Sequence, residues 1–205
     1  MTQTHPAKTL AHEALLQASR RIDWRFLLPT PDLGQVACLG VADADLLESL
    51  DLFSAAVEVA DATSRQELDA VYDVVVLRNP PRETIEAGCR LVRPGGWVYV
   101  EVETSIASEH ADAPRSVRAC ERELKRLGLV DTSTYVHWPD FGSCRAIVPL
   151  GEVAAVRHGL ARGWTSGGWF MTHLAPVLAA TRQLGRFVPC ASAIGRRPEE
   201  GGGGR

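Results

Sequence analysis

Leu91-Val92-Arg93-Pro94-Gly95-Gly96-Trp97-Val98-Tyr99-Val100-Glu101 is the stretch that decides the fold. Its first half closes a helix. Residues 82–92 place Ile85, Cys89 and Val92 on one face, and Arg93-Pro94-Gly95-Gly96 stops that helix, because Pro cannot continue it and Gly tolerates the left-handed end. Its second half, Trp97 to Val102, is an aromatic and β-branched run that predicts a strand.

Immediately upstream, Val71-Tyr72-Asp73-Val74-Val75-Val76-Leu77 is the clearest strand of the chain. A β-branched run without alternation is buried on both faces, as in a parallel sheet. Asn79-Pro80-Pro81 ends it. Further upstream, Gln35 to Leu39 is a short apolar run that ends at Gly40, and Asp43 to Leu50 reads as the first turns of a helix, which makes strand, Gly turn, helix. Ala55 to Ala60 is the next strand candidate, with a short helical or irregular crossover over Ser64 to Ala70. Thr9 to Arg21 carries apolar residues at helical spacing without Gly or Pro and predicts a leading helix. The aromatic segment Ile22 to Pro29 follows it, closed by Pro29-Thr30-Pro31-Asp32.

Downstream, a charged helix from Ala113 to Leu127 ends at Gly128, and Thr132 to Trp138 reads as a strand. Arg145 to Leu150 is placed to pair with that strand as an antiparallel edge, because the turn-like Pro139 to Ser143 is short. Val153 to Ala161 and Leu174 to Leu184 read as helices flanking the aromatic Trp164 to Phe170. Gly201 to Gly204 lie in a disordered tail. Strands that alternate with helices imply an α/β fold with a doubly wound, mainly parallel sheet and an antiparallel C-terminal edge. The division expected is one domain over 1–198, with an N-terminal helix in 1–22, a helical extension over 151–190 and a tail over 199–205.

With 205 residues the chain suits one domain. A net charge of −3 lacks the basic excess that tracking a phosphate backbone requires, so nucleic acid is excluded as an expected partner. The five cysteines stand singly, without CxxC pairs, and the six histidines do not converge; no metal is expected. No long apolar run or signal peptide is read, so a membrane is not an expected partner and a cytoplasmic location is.

The order of Gly turn, acidic residue after the second strand, Tyr-Asp-Val-Val-Val strand and Arg-Pro-Gly-Gly junction resembles the class I (Rossmann-like) S-adenosylmethionine-dependent methyltransferases over Asp23 to Leu150. Leu127-Gly128-Leu129-Val130 ahead of Tyr135-Val136-His137-Trp138-Pro139-Asp140-Phe141 resembles that family's C-terminal half. The resemblance implies a transferase with S-adenosylmethionine as cofactor and a small-molecule substrate. The segments 23–29, 138–141 and 148–150 are similar to methyltransferase-like proteins of bacterial polysaccharide and secondary-metabolite pathways. The family keeps about three glycines in its first turn; here Leu39-Gly40-Val41-Ala42-Asp43 has one.

Carried onto this chain, the resemblance implies Gly40, Val41 and Asp43 beside the cofactor's methionine end, although Asp43 equally suits a helix cap. Glu58 or Asp61 is the candidate for the carboxylate that accepts both ribose hydroxyls; alternatively Glu58 to Ala62 resembles the family's third strand, with Asp61-Ala62 beside adenine, or either acid is simply solvated. Leu77, Arg78 and Asn79 line the pocket. Asn79-Pro80-Pro81 is also similar to the Asn-Pro-Pro-aromatic motif of methyltransferases that act on planar nitrogens, but Arg82 replaces the aromatic. His137, with Asp140, is the candidate general base, since an imidazole titrates near neutrality; packing beside Trp138 is its other reading. Trp164, Trp169 and Phe170 either wall a pocket or cover the core.

Three functions remain open: a small-molecule methyltransferase, a methyltransferase-like protein that has lost the cofactor and serves as a binding or assembly subunit, or a fold-mate with different chemistry, because fold does not fix function. The first two are compatible with a homodimer or with a heteromer containing another pathway enzyme. A nicotinamide dehydrogenase is disfavoured, since it needs the full glycine turn.

Overall fold

The computed structural model describes residues 12–40, 43–60, 70–103, 114, 116–161, 177, 180, 184 and 188–199. In chain order the elements are α1 (His12–Arg21), a 3₁₀ helix (Asp23–Leu27), β1 (Gln35–Leu39), α2 (Ala44–Phe53), β2 (Ala56–Ala60), β3 (Tyr72–Arg78), α3 (Arg82–Leu91), β4 (Val92–Glu103), α4 (Val117–Arg126), β5 (Val130–Trp138), β6 (Ala146–Pro149), α5 (Val153–Ala161) and β7 (Cys190–Arg196).

One seven-stranded sheet runs in the order β2-β1-β3-β4-β7-β5-β6. The first four strands are parallel. β7 lies antiparallel to both β4 and β5, and β6 is the antiparallel edge beside β5, in register from Trp138 against Ala146 to Tyr135 against Pro149. This is the α/β, mainly parallel arrangement with an antiparallel edge that the sequence predicts.

Alternate residues of the central strands feed two cores. Val36, Cys38, Val74, Val76 and Tyr99 pack with Ile22, Trp24, Leu33, Leu46 and Leu50 on one face. Ala37, Leu39, Val75, Leu77, Val98 and Val100 pack with Ile85, Cys120 and Leu124 on the other. Burial on both faces is why these strands read as unbroken apolar runs.

Two elements differ from the sequence reading. β4 starts at Val92, five residues before Trp97, because Gly95 at φ 78° bends the Arg-Pro-Gly-Gly segment into an irregular extension. Tyr72 and Val92 pair ahead of a register shift. The Gly95 N–H donates to Arg197 O and the Arg197 N–H to Gly96 O, each at 2.9 Å. A Cβ on Gly96 would stand 2.8 Å from the Asp73 carbonyl oxygen and 2.7 Å from Val92 Cγ2. Gly96→Ala is therefore expected to cost about 1–3 kcal/mol through overpacking, read as a lowered urea midpoint with unchanged m.

The second difference is β7, which the sequence reading left without an element beyond the helical extension to 190. Ala191, Ser192, Ala193 and Gly195 have weak strand propensity, yet six of the seven residues are buried. Small side chains are needed here: a Cβ on Gly195 would meet Leu129 Cδ2 at 3.0 Å. Among the expectations that fall outside the described residues are those for Val41, Asp61, Ala62, the 64–70 crossover (only Ala70 is described), Trp164, Trp169, Phe170 and most of the 174–184 helix.

Candidate functional site

Strand order reverses between β1 and β3, and in open parallel sheets the crevice beyond the carboxyl ends at such a point is where ligands bind. Five charged side chains meet there. Glu101 lies in β4 between Val100 and Val102, wholly buried. An unpaired carboxylate in that position would cost several kcal/mol, so it needs a partner. Arg21, the last residue of α1, supplies it: Nη1 donates to Glu101 Oε1 at 2.6 Å and Nη2 to Oε2 at 2.9 Å. Burial by itself would lower the proton affinity of this guanidinium, but Glu101 beside it, with help from Asp43, more than reverses that and raises it above its ordinary value.

The second pair spans the crevice. Arg78 ends β3, and its Nη1 donates to Asp43 Oδ2 across the β1–α2 turn while its Nη2 donates to Glu103 Oε2 at 2.9 Å. Arg21 Nη2 also reaches Asp43 Oδ2, at 3.4 Å. The other Asp43 oxygen accepts the Leu46 N–H at 2.6 Å and caps α2. Of the two roles open for Asp43, the cap is therefore observed.

Gly40, at the end of β1, adopts φ 87°, and among the described residues, its chain neighbours aside, a Cβ there would meet no atom within 4 Å. Asn79 adopts φ 43°. It ties the end of β3 to β4, its N–H donating to Glu101 O and its side-chain oxygen accepting the Glu103 N–H, each at 2.8 Å. Leu77 is fully buried in the core, so only its backbone faces the crest. Beside this cluster a cleft of about 210 Å³ opens between α1 and α2, lined by Ala18, Arg21, Asp45 and Ser49.

Other expected site residues lie elsewhere. Glu58 sits in the middle of β2, opposite Ala37, rather than at the strand end, and accepts a 2.6 Å hydrogen bond from the Tyr72 hydroxyl. Hydrogen bonding to that acid, after burial, helps push the Tyr72 phenol up to about 12.

His137 is 2% exposed and faces inward. Its Nε2 lies 2.8 Å from Ser192 Oγ and 3.3 Å from Tyr99 Oη, and its ring is 4.7 Å from that of Phe141. Burial, and then the Arg21 charge, push its pKa down to about 3. A ring so placed is a neutral member of a buried network, and this geometry favours the packing reading over the general base. Asp140 is exposed; its carboxylate accepts from Ser143 N and Oγ at 2.6 and 2.8 Å, an Asx-type turn. Among the described residues no group of three or more His, Cys, Asp or Glu could hold a metal ion, and no helix is long and apolar enough to cross a membrane.

The sequence reading missed Arg21, Glu101 and Glu103 as members of the crest. The signal was present: a carboxylate inside a strand buried on both faces requires a cation, and an arginine closing an amphipathic helix can supply one.

The reversal between β1 and β3 and the antiparallel β7 between β4 and β5 belong to a Rossmann-like fold that the chain shares with solved S-adenosylmethionine-dependent methyltransferases. No protein-family model and no curated protein matches the sequence. Among solved structures, the chain is similar to an S-adenosylmethionine-dependent methyltransferase of Thermotoga maritima described as a "possible histamine N-methyltransferase", at 9% identity and TM-score 0.50, over 90% of this chain and 92% of that one. It is also similar to an S-adenosylmethionine-dependent methyltransferase of Archaeoglobus fulgidus, at 12% identity and TM-score 0.50, over 89% and 93% of the two chains. Identities this low establish shared architecture.

Proposed function

We propose that the protein is an S-adenosylmethionine-dependent methyltransferase acting on a small molecule, with its cofactor at the crest between β1 and β3. One observation carries this reading: at the switch point the positive-φ Gly40 stands at the strand end beside alternating guanidinium and carboxylate groups, Arg21, Asp43, Arg78 and Glu103. That donor set complements a zwitterionic sulfonium amino acid, the guanidiniums matching its carboxylate and Glu103 its cationic centres. Gly40 and Val41 would border the methionine end, with Arg78 and Asn79 beneath it. Glu58, in the middle of β2 and bonded to the Tyr72 hydroxyl, leaves Asp61, with Ala62 after it in the sequence, as the proposed carboxylate for the ribose hydroxyls.

The sulfonium supplies an already activated methyl group, so the protein's own task is to hold and align the acceptor. No dyad is required of it. A setting in bacterial secondary-metabolite or polysaccharide biosynthesis belongs to this proposal and rests on the segment likenesses alone. A cytoplasmic location and association with a second copy or another pathway enzyme belong to the same proposal.

A specific observation favours a second reading, the cofactor-free binding or assembly subunit. The Asp43–Arg78 bridge spans the crevice, and the adjoining cleft of about 210 Å³ is smaller than the roughly 300–1,000 Å³ usual for small-molecule sites. Calorimetry with S-adenosylmethionine and S-adenosylhomocysteine decides between them. Micromolar binding, weakened about tenfold or more by Asp61→Ala and little changed by Glu58→Ala, is the expected result. No heat at millimolar ligand sinks the enzymatic reading.

A further inference from the structure

Asp43 holds more partners than a helix cap needs. Capping uses only Oδ1, which accepts the Leu46 N–H, and asparagine performs that role as well as aspartate. The negative charge is spent on Oδ2, where guanidinium nitrogens of Arg21 and Arg78 converge. Two guanidiniums aimed at one carboxylate oxygen form a carboxylate-binding arrangement, and its occupant here is the protein's own β1–α2 turn.

The two arginines are not held alike. Arg21 is 4% exposed and clamped by both oxygens of the wholly buried Glu101, so it stays in place. Arg78 and Asp43 are 22% and 35% exposed, and an ion pair open to water to that extent is weakly held and readily exchanged. Glu103 keeps the Arg78 side chain directed at the crevice while Asp43 leaves it.

We propose that Arg21 and Arg78 form a carboxylate subsite in which Asp43 is a resident competitor, and that an α-amino-acid ligand enters by displacing Asp43 Oδ2 from Arg78. The proposal rests on the reading of the crest as a cofactor site and adds to it a built-in self-occupancy that lowers affinity for the amino-acid end of the ligand alone. The adenosine end makes no use of this subsite, so the two halves of the ligand respond differently to Asp43.

The test is Asp43→Asn, which keeps the cap and removes the charge. Calorimetry is run on wild type and variant with S-adenosylhomocysteine and, separately, with adenosine. S-adenosylhomocysteine is expected to bind the variant about tenfold more tightly, with adenosine affinity unchanged, and adding Arg78→Gln in the same chain is expected to erase the gain. Thermal unfolding within about 2 °C of wild type verifies that the cap survives. If S-adenosylhomocysteine binds wild type but no more tightly to Asp43→Asn, the competitor idea is overturned and the cofactor reading stands. If neither ligand binds either protein, the cofactor reading fails and this inference fails with it.

Discussion

Glu101→Gln is expected to destabilise the protein by about 3–5 kcal/mol, because it strands the Arg21 charge where only 4% of that side chain is exposed. Removing both charges is a different experiment. Arg21→Met with Glu101→Leu replaces a desolvated pair by apolar volume, which is often neutral, so the double variant is expected to recover most of the loss. Urea unfolding of Arg21→Met, Glu101→Leu and the double yields the coupling directly. Arg21 closes α1 and its ion-pair partner sits in β4, so the single variant is also expected to accelerate hydrogen exchange in α1 before the sheet is affected. Two small, additive losses would show that the pair does not hold α1 over the strand ends.

Acid sensitivity from His137 is the second large effect. The folded protein holds this imidazole neutral down to about pH 3 through burial and the Arg21 charge, whereas the unfolded chain protonates it near 6.5. Above 6.5 both states are neutral and pH makes no difference through this group. Between 6.5 and about 3 only the unfolded chain takes up the proton, so stability falls as pH falls, by about 1.4 kcal/mol per unit. Carboxylates add their own acid dependence, which is why the comparison is with His137→Gln, an uncharged side chain that still reaches Ser192. At pH 7 the variant is expected to be the less stable of the two; by pH 4.5 the gap is expected to have closed by about 2–3 kcal/mol. Parallel urea midpoints for the two proteins from pH 7 to 4.5 would show that the imidazole is not the source.

The parallel half of the sheet was legible because its chemistry is one-sided. Val74, Val75 and Val76 have no polar alternation to confuse, and Gly40 marks the end of β1 by itself. The β5–β6 pairing was legible for another reason, a short turn between two apolar runs. β7 was not legible, since a strand wedged between two others can be made of Ala, Ser and Gly, whose local preference points away from a strand; only its neighbours determine it. Gly40, Asp43, Arg78 and Asn79 stand out in the sequence because they end or follow strands, and the structure brings them to the same crest. Arg21 and Glu101 were not, because their meaning comes from a contact across 80 positions of sequence. His137 is the opposite case: the sequence supplies the titratable group, but its burial, which the sequence does not display, belongs to Tyr99, Phe141 and Ser192.

The position of β7 also governs the order in which the molecule can be completed. It follows every other described strand in the chain yet stands between β4 and β5, so ribosomal synthesis delivers the central seam last. Until it arrives, the parallel half and the β5–β6 hairpin are two pieces, each with an open backbone edge facing the gap, the kind of edge on which chains associate wrongly. Shortening the chain ahead of Cys190 therefore divides the sheet rather than trimming it.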